Sequence, residues 1–264
     1  MPRKMETMST LSRMRQASNR LRRQAGMLML ALTACAAAPQ AAELTQQLVE
    51  ARAARLYAAR LNDHVLDADA RFTTRVTTIA ATLIARAKRD YPETAGWDWE
   101  VHTTNDPDQN ADCMAGGKIL VSQAYVQRLE LADAELAMLL AHEIEHAALN
   151  HNLKEYQQAL RLEPRWAERP FLELEHAVDH ADALIDQLAA TNYEQEVEAD
   201  REGMQLAWRA GWPPEQLAGY FRKMFRESAS PRRSKPDYPS PLTRWQAARA
   251  LAAALQKNQV QAPD

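Results

Sequence analysis

His142, Glu143 and His146 form the pattern H-E-x-x-H and follow the apolar run at residues 136–141. Side chains four apart in a helix project from one face, so this stretch is predicted to be a helix with both imidazoles aimed at one metal ion. Glu143 lies about 100° further round the helix, where its carboxylate can reach a water on that metal. The spacing is typical of zinc hydrolases.

A catalytic zinc ion takes three protein ligands and keeps one position for water, so a third ligand must come from elsewhere. The extended pattern H-E-x-x-H-x-x-G-x-x-H does not supply it, because Leu149 and Asn152 stand at its glycine and its last histidine. His151 is predicted to be a polar face residue, since in a continuing helix it projects about 180° from His142. The third ligand is therefore expected on a second helix.

The acid-rich segment at residues 193–203 is the expected source of that ligand. Glu196 and Asp200 are four residues apart. In such an arrangement Glu binds the zinc ion, while Asp accepts the second N–H of a zinc histidine and fixes its tautomer. We predict Glu196 as the third ligand and Asp200 as the residue that supports a histidine. Glu194 and Glu198 are the alternative ligands.

Glycine is scarce, with 7 residues in 264, and hydrophobic residues make up 46% of the chain. This composition argues against a β-sandwich and a Gly-rich phosphate-binding fold. Residues 97–102 and 118–122 predict two short strands, and residues 103–112 predict a polar loop. We predict an α+β fold, predominantly helical, with a small sheet beside the histidine helix and one domain over residues 43–264. The predicted helical regions are residues 43–88 in two runs, 132–160, 172–188, 192–210, 214–228 and 241–257.

Residues 1–34 predict a removable signal peptide. They contain seven Lys/Arg and one acid, and their apolar stretch at residues 26–34 is shorter than the roughly 20 residues that a bilayer span needs. Leu-Thr-Ala-Cys at residues 32–35 resembles the lipobox of bacterial lipoproteins, which implies that Cys35 is acylated and that residues 35–42 form a tether. Ala36 then implies sorting to the outer membrane. The alternative is an ordinary secretory signal, cleaved just after Cys35.

The rest of the chain is acidic, with 25 Lys/Arg against 34 Asp/Glu outside residues 1–34. This balance disfavours nucleic acid as a partner, and it disfavours attachment to anionic lipid by charge alone. Two cysteines, Cys35 and Cys113, cannot build a disulfide framework. Cys113 is expected to be a small buried residue rather than a nucleophile.

Three blocks together resemble the HtpX/Ste/BepA-type gluzincin endopeptidases, the forty-eighth metallopeptidase family. The blocks are residues 135–146, 196–204 and 110–119. The resemblance implies a zincin-like fold, one bound Zn²⁺ and Glu196 as its third ligand. The 110–119 block is similar to a strand entry of the family, where glycines let the backbone approach closely and an unpaired strand edge can add an extended peptide beside the zinc. The residues expected to bind substrate in this way are Gly116, Gly117, Lys118 and Ile119.

Three residues depart from the family pattern. Asp112 stands at a usually aromatic position and Ala115 at a usual proline, which leaves substrate preference open. Tyr238 precedes Pro239 and stands six residues before Arg244, in a block where many relatives carry His-Pro. Its phenol either donates to the oxyanion formed during hydrolysis or merely packs.

The predicted function is zinc-dependent hydrolysis of peptide bonds, with Glu143 acting first as base and then as acid. The resemblance extends to periplasmic lipoproteins of the family, and it implies polypeptide substrates in the cell envelope, such as misfolded or stalled proteins. Residues 155–188 are long enough to cover the cleft. The alternatives are a chaperone that holds extended segments without cutting, and a peptidase that trims only short peptides or termini. His176 and His180, also four apart, are expected on a solvated helix face.

Overall fold

The computed structural model describes residues 44–230, 233 and 235–261. Most of this part of the chain is helical, with one small sheet, which confirms the predicted mostly helical α+β class. The helices are α1 (Gln46–Leu61), α2 (Ala70–Asp90), α3 (Gln123–Arg128), α4 (Asp133–Ala148), α5 (His151–Leu162), α6 (Phe171–His180), α7 (Asp182–Arg209), α8 (Pro214–Glu227) and α9 (Pro241–Gln261). The strands are β1 (Glu100–Thr104), β2 (Ala111–Met114) and β3 (Lys118–Ser122).

The sheet has the order β1-β3-β2, with β1 parallel and β2 antiparallel to β3. β2 falls largely outside the predicted strands, because all four of its residues are buried and show no alternation of polar and apolar side chains. It is the edge strand next to α4, and it lies between the helix and the rest of the sheet. The free edge of the sheet on the α4 side therefore belongs to β2.

Lys118 and Ile119, predicted to bind substrate, offer no free strand edge to a peptide. Both lie in β3, whose two edges are paired with β1 and β2, so no main-chain edge remains for a peptide. The Lys118 ammonium contacts Asp98 and Glu100, and the Ile119 carbonyl accepts a hydrogen bond of 2.6 Å from the Tyr57 hydroxyl. These contacts stabilise the fold.

Gly116 and Gly117 form the turn between β2 and β3. Their φ angles are +80° and +79°, a left-handed conformation that glycine adopts without the steric cost of a Cβ. A Cβ on Gly117 would lie 2.6 Å from the Trp99 ring. The glycines therefore allow a tight hairpin, and their contact with substrate stays a prediction.

Helix α4 is the centre of the molecule, with every residue of 134–148 buried. One apolar cluster joins it to α2, α8, α9 and one face of the sheet, where Ile119 and Val121 point. A second cluster joins α1, α5, α6 and the opposite face of the sheet, where Leu120 points. The alternation of β3 side chains thus divides the core in two.

The predicted helix at residues 132–160 is interrupted at Asn150. That residue adopts φ 57° and ψ 40°, a left-handed conformation that Asn tolerates better than most residues. The chain therefore changes direction between α4 and α5. A second interruption at Ala181 ends α6, and α7 then continues unbroken through the predicted boundary between residues 188 and 192.

Helices α4 and α7 touch through Gly203. A Cβ at this position would lie 2.8 Å from His142 N and 2.9 Å from its Cα, so only glycine lets the two backbones come this close. This contact at Gly203 lies two turns beyond Glu196 on α7. It therefore sets the distance between the Glu196 side chain and the histidines of α4. Within the described part of the chain, no helix is long and apolar enough to cross a membrane.

We expect Gly203→Ala to push α7 away from α4 and to lower the free energy of unfolding by about 1–3 kcal/mol, the usual cost of overpacking. Chemical denaturation measures this loss. Gly96→Ala is the matched control, because a Cβ there meets nothing within 4 Å. Equal stability of the Gly203→Ala and Gly96→Ala proteins would contradict the close-contact interpretation.

Candidate metal centre

Three potential metal ligands meet where α4 packs against α7. His142 and His146 lie on α4 and Glu196 on α7, and all three side chains are buried. His142 Nε2 is 3.2 Å from His146 Nε2, and the Glu196 carboxylate oxygens lie 3.6 Å from His142 Nε2 and 3.5 Å from His146 Nε2. Among the residues described, no other His, Cys, Asp or Glu side chains cluster in this way.

The arrangement fits a small divalent cation. Ligand atoms about 2.1 Å from a tetrahedral zinc ion lie about 3.4 Å from one another, close to all three separations. Glu196 Oε2 is buried without a hydrogen-bond partner in the described structure, and Arg244 Nη1 is 3.6 Å away. A buried carboxylate oxygen without a hydrogen bond is costly, and a bound cation would relieve that cost. Two imidazoles and one carboxylate are also the donor set of catalytic zinc sites with an open fourth position.

Asp200, one turn after Glu196, orients His142. Its Oδ1 lies 3.0 Å from Nδ1 of His142, so the opposite ring nitrogen faces His146. Arg244 of α9 holds both oxygens of Asp200, with Nε 2.6 Å from Oδ2 and Nη2 in contact with Oδ1. Sequence reasoning identifies Arg244 only as a neighbour of Tyr238. The structure shows it as the buried cation on which the position of Asp200 depends.

The two imidazoles experience different electrostatic environments. Burial lowers the pKa of His142, but the contact with Asp200 and the charge of Glu196 outweigh it, so the net change raises this pKa. Burial, assisted by the neighbouring imidazoles of His142 and His151, lowers the pKa of His146 well below its ordinary value. Burial also raises the pKa of the Glu196 carboxyl. His146 is therefore held in the neutral form that binds metals.

The family model described as Peptidase family M48 matches residues 70–252. The chain belongs to this family. It is 29% identical over 129 residues to the mitochondrial metalloendopeptidase OMA1 of Arabidopsis thaliana, covering 49% of this chain and 26% of that protein. It is 28% identical over 168 residues to the mitochondrial metalloendopeptidase OMA1 of Bos taurus, covering 56% of this chain and 30% of that protein.

Both relatives carry the name metalloendopeptidase, and the family is one of metallopeptidases. The resemblance inferred from the three sequence blocks is thereby confirmed. The aligned regions span less than a third of the length of these relatives.

A pocket opens beside the metal centre of this M48 chain. Glu143, His146 and Glu196 form part of its wall. An ion pair between Arg52 and Glu175, 2.6 Å apart, joins α1 to α6 across it. Most of the remaining wall is apolar, contributed by Val49, Ala53, Leu56, Met114, Ala115, Tyr156 and Phe171.

Residues 155–188, predicted to cover the cleft, contribute Tyr156, Phe171 and Glu175 to this wall. Asp112 also lines the pocket, and its carboxylate pairs with Arg60 at 2.5 Å. The acid at this usually aromatic position is therefore held by an internal cation. Burial raises the pKa of the Cys113 thiol well above its ordinary value, which agrees with a small buried residue rather than a nucleophile.

The prediction that His151 is a polar face residue is wrong. Its exposed fraction is 2%, its Nδ1 lies 2.9 Å from His146 Nδ1, and its Nε2 lies 3.2 Å from Glu198 Oε2. The prediction assumed an uninterrupted helix, whereas the left-handed Asn150 turns the chain so that His151 packs behind His146. The only sequence signal for this turn is Asn150 itself.

Other predicted residues are not part of the ligand cluster. The Tyr238 ring centroid lies 4.7 Å from the Arg244 guanidinium carbon, and its role in catalysis stays a prediction. Glu194 is exposed on α7. His176 and His180 stack with ring centroids 4.2 Å apart on α6 and form no cluster with a third ligand in the described structure. Cys35, like all of residues 1–42, lies outside the described residues.

We expect Glu196→Ala to weaken metal binding by more than about 100-fold, beyond what loss of a supporting partner typically costs. Glu194→Ala is the matched control, because it removes an exposed carboxylate from the same helix. Metal content after equilibration with limiting zinc, measured by elemental mass spectrometry, distinguishes the two. Full occupancy in the Glu196→Ala protein would reject this residue as a ligand.

Proposed function

We propose that the chain is a zinc-dependent endopeptidase that cleaves polypeptides of the bacterial cell envelope. The observation that carries the proposal is the approach of His142, His146 and Glu196 to within 3.2–3.6 Å, with Glu143 in the wall of the adjoining pocket. Membership of an M48 metallopeptidase family and the names of the two relatives support the same chemistry.

His142, His146 and Glu196 would hold a zinc ion, which would supply Lewis acidity toward a peptide carbonyl and lower the pKa of water to near 7. Glu143 Oε accepts the proton of the attacking water and returns it to the nitrogen of the departing amine. Asp200 holds the tautomer of His142 throughout, because it accepts the Nδ1 proton. Apolar pocket walls exclude competing water and strengthen these electrostatic interactions.

The outer edge of β2 is the proposed binding site for the substrate main chain. β2 pairs with β3 on one side only within the described sheet, and Asp112, Cys113 and Met114 line the pocket beside Glu143. An extended peptide can add to such an edge as a further strand. The proposal keeps the predicted binding mode, in which substrate adds as a strand, but moves it from residues 116–119 to β2.

The apolar pocket is the proposed site for a substrate side chain next to the cleaved bond. Val49, Leu56, Tyr156 and Phe171 contribute apolar surface to its wall, which favours an aliphatic or aromatic group. Such side chains are buried in folded proteins and exposed in unfolded ones. This preference suits an enzyme that degrades misfolded or stalled proteins.

The proposed location is the periplasm, with the chain tethered by acylated Cys35, most simply to the outer membrane. The basic segment, the short apolar stretch and the Leu-Thr-Ala-Cys sequence of residues 1–35 support it. Two or more acyl chains give a stable membrane anchor. Intact mass of the mature protein tests this assignment, and an unmodified Cys35 would remove the anchor.

We expect Glu143→Gln to abolish cleavage of casein while zinc content and melting temperature stay unchanged, because the amide cannot accept the proton of water. Digestion with and without a zinc chelator, followed by mass spectrometry of the products, is the measurement. Internal cuts support an endopeptidase, and terminal ladders indicate an exopeptidase. Full activity of Glu143→Gln, or binding of casein without cutting by the parent, would contradict the proposed function.

We expect Ala53→Phe to shift cleavage from large apolar residues toward small ones, because the new ring fills the pocket wall. Sequencing of products from a peptide library measures the shift. Ala54→Phe is the matched control, since Ala54 is the exposed neighbour on α1. An identical cleavage pattern for the Ala53→Phe protein and its parent would exclude the pocket as the specificity site.

A further inference from the structure

His151 and Glu198 form a hydrogen-bonded series behind His146, on the side away from Glu196. His151 Nδ1 lies 2.9 Å from His146 Nδ1, and the His151 Nε2 lies 3.2 Å from Glu198 Oε2. The rings of the two histidines meet edge to face, with centroids 4.8 Å apart. The series thus runs from a candidate ligand to a carboxylate at the edge of the core.

Proton counting gives this series a direction. When His146 Nε2 binds a metal, that nitrogen carries no proton, so the proton of the neutral ring is on Nδ1. Nδ1 then donates to His151 Nδ1, which must be the unprotonated nitrogen of His151. The His151 proton is therefore on Nε2, where it is donated to Glu198. Each group has one partner of the correct type.

The position of His151 is fixed by its surroundings. The His151 side chain is buried. The backbone carbonyl of His151 accepts a hydrogen bond of 3.2 Å from Gln195 Nε2 on α7. Glu198, on the same helix, also lies 3.7 Å from Lys154 Nζ, which favours its ionised form. The series therefore links α5 to α7 directly behind the metal centre.

The two candidate histidine ligands are supported differently. Asp200 contacts His142 Nδ1 directly at 3.0 Å, whereas the carboxylate of Glu198 reaches His146 only through His151. In both cases a carboxylate ends the series, and in both the Nε2 atom faces the metal position. Outer partners of this kind orient metal-binding histidines and raise their basicity.

We propose that His151 and Glu198 are positioning residues that hold His146 as the Nδ1–H tautomer, with Nε2 directed at the metal. The inference rests on the metal site of the proposed function. Glu198, which the sequence offers as an alternative third ligand, is in this proposal a hydrogen-bond acceptor for His151 and not a ligand. His151 transmits the orientation, and Glu198 fixes the tautomer of His151.

The test combines zinc affinity with detection of the tautomers. We expect His151→Phe, which keeps a ring but cannot accept a hydrogen bond, to weaken zinc binding about 10- to 100-fold in competition with a chromophoric chelator. His151→Gln, whose amide oxygen can accept from His146, is expected to recover part of that loss. Glu198→Ala, which removes the acceptor, is expected to weaken binding, whereas the control Glu194→Ala on the same helix leaves it unchanged.

Long-range ¹H–¹⁵N spectra of the zinc-loaded, histidine-labelled protein report the tautomers directly. We expect His146 as Nδ1–H and His151 as Nε2–H, with each signal assigned by substitution. An Nδ1–H tautomer of His151 would overturn the proposal. So would a folded His151→Phe protein that binds zinc as tightly as the parent. If His151→Phe does not fold, Glu198→Ala decides, and parental affinity in that protein overturns the proposal.

These outcomes separate the inference from the function on which it rests. A parent protein that binds no zinc overturns the metal site, and the positioning proposal fails with it. A parent that binds zinc and cleaves casein, with affinity insensitive to both substitutions, overturns only the positioning roles of His151 and Glu198.

Discussion

The close contact between α4 and α7 is the constraint on which the candidate site depends. Gly203 brings the α7 backbone against His142, where a Cβ would be 2.8 Å from the backbone nitrogen. Two turns earlier, Glu196 consequently reaches the imidazoles of His142 and His146. The contact also helps to bury α4, because the helix is enclosed by α7, the sheet and the apolar cluster that it shares with α2, α8 and α9.

Charge is the second constraint. Glu143 and Glu196 are buried, Asp200 lies half-buried beside them, and Arg244 is the buried cation that contacts Glu196 and Asp200. With all three acids ionised, two negative charges stay uncompensated, and a divalent cation neutralises them. Burial of unpaired charge is costly, and the raised pKa of Glu196 expresses this cost in the protein without metal. The uncompensated negative charge of the site therefore favours binding of a divalent cation.

Much of this centre is predictable from local spacing. H-E-x-x-H and the Glu196/Asp200 pair each lie within one helix, so helical periodicity alone places their members on common faces. His151 is different, since its location depends on a single left-handed residue, Asn150, which periodicity does not reveal. The position of β2 depends on tertiary contact, because four buried residues carry no alternating pattern. Pairing on both sides of β3 is likewise a property of the assembled sheet, and it leaves Lys118 and Ile119 without a free main-chain edge.

Anomalous diffraction at the zinc absorption edge, from crystals of the zinc-loaded protein, tests the central claim most directly. The account predicts one strong peak between α4 and α7, with Nε2 of both motif histidines and a Glu196 oxygen at about 2.0–2.2 Å. A peak elsewhere would contradict the account. A zinc ion bound at α4 while Glu196 points away from it would contradict it as well.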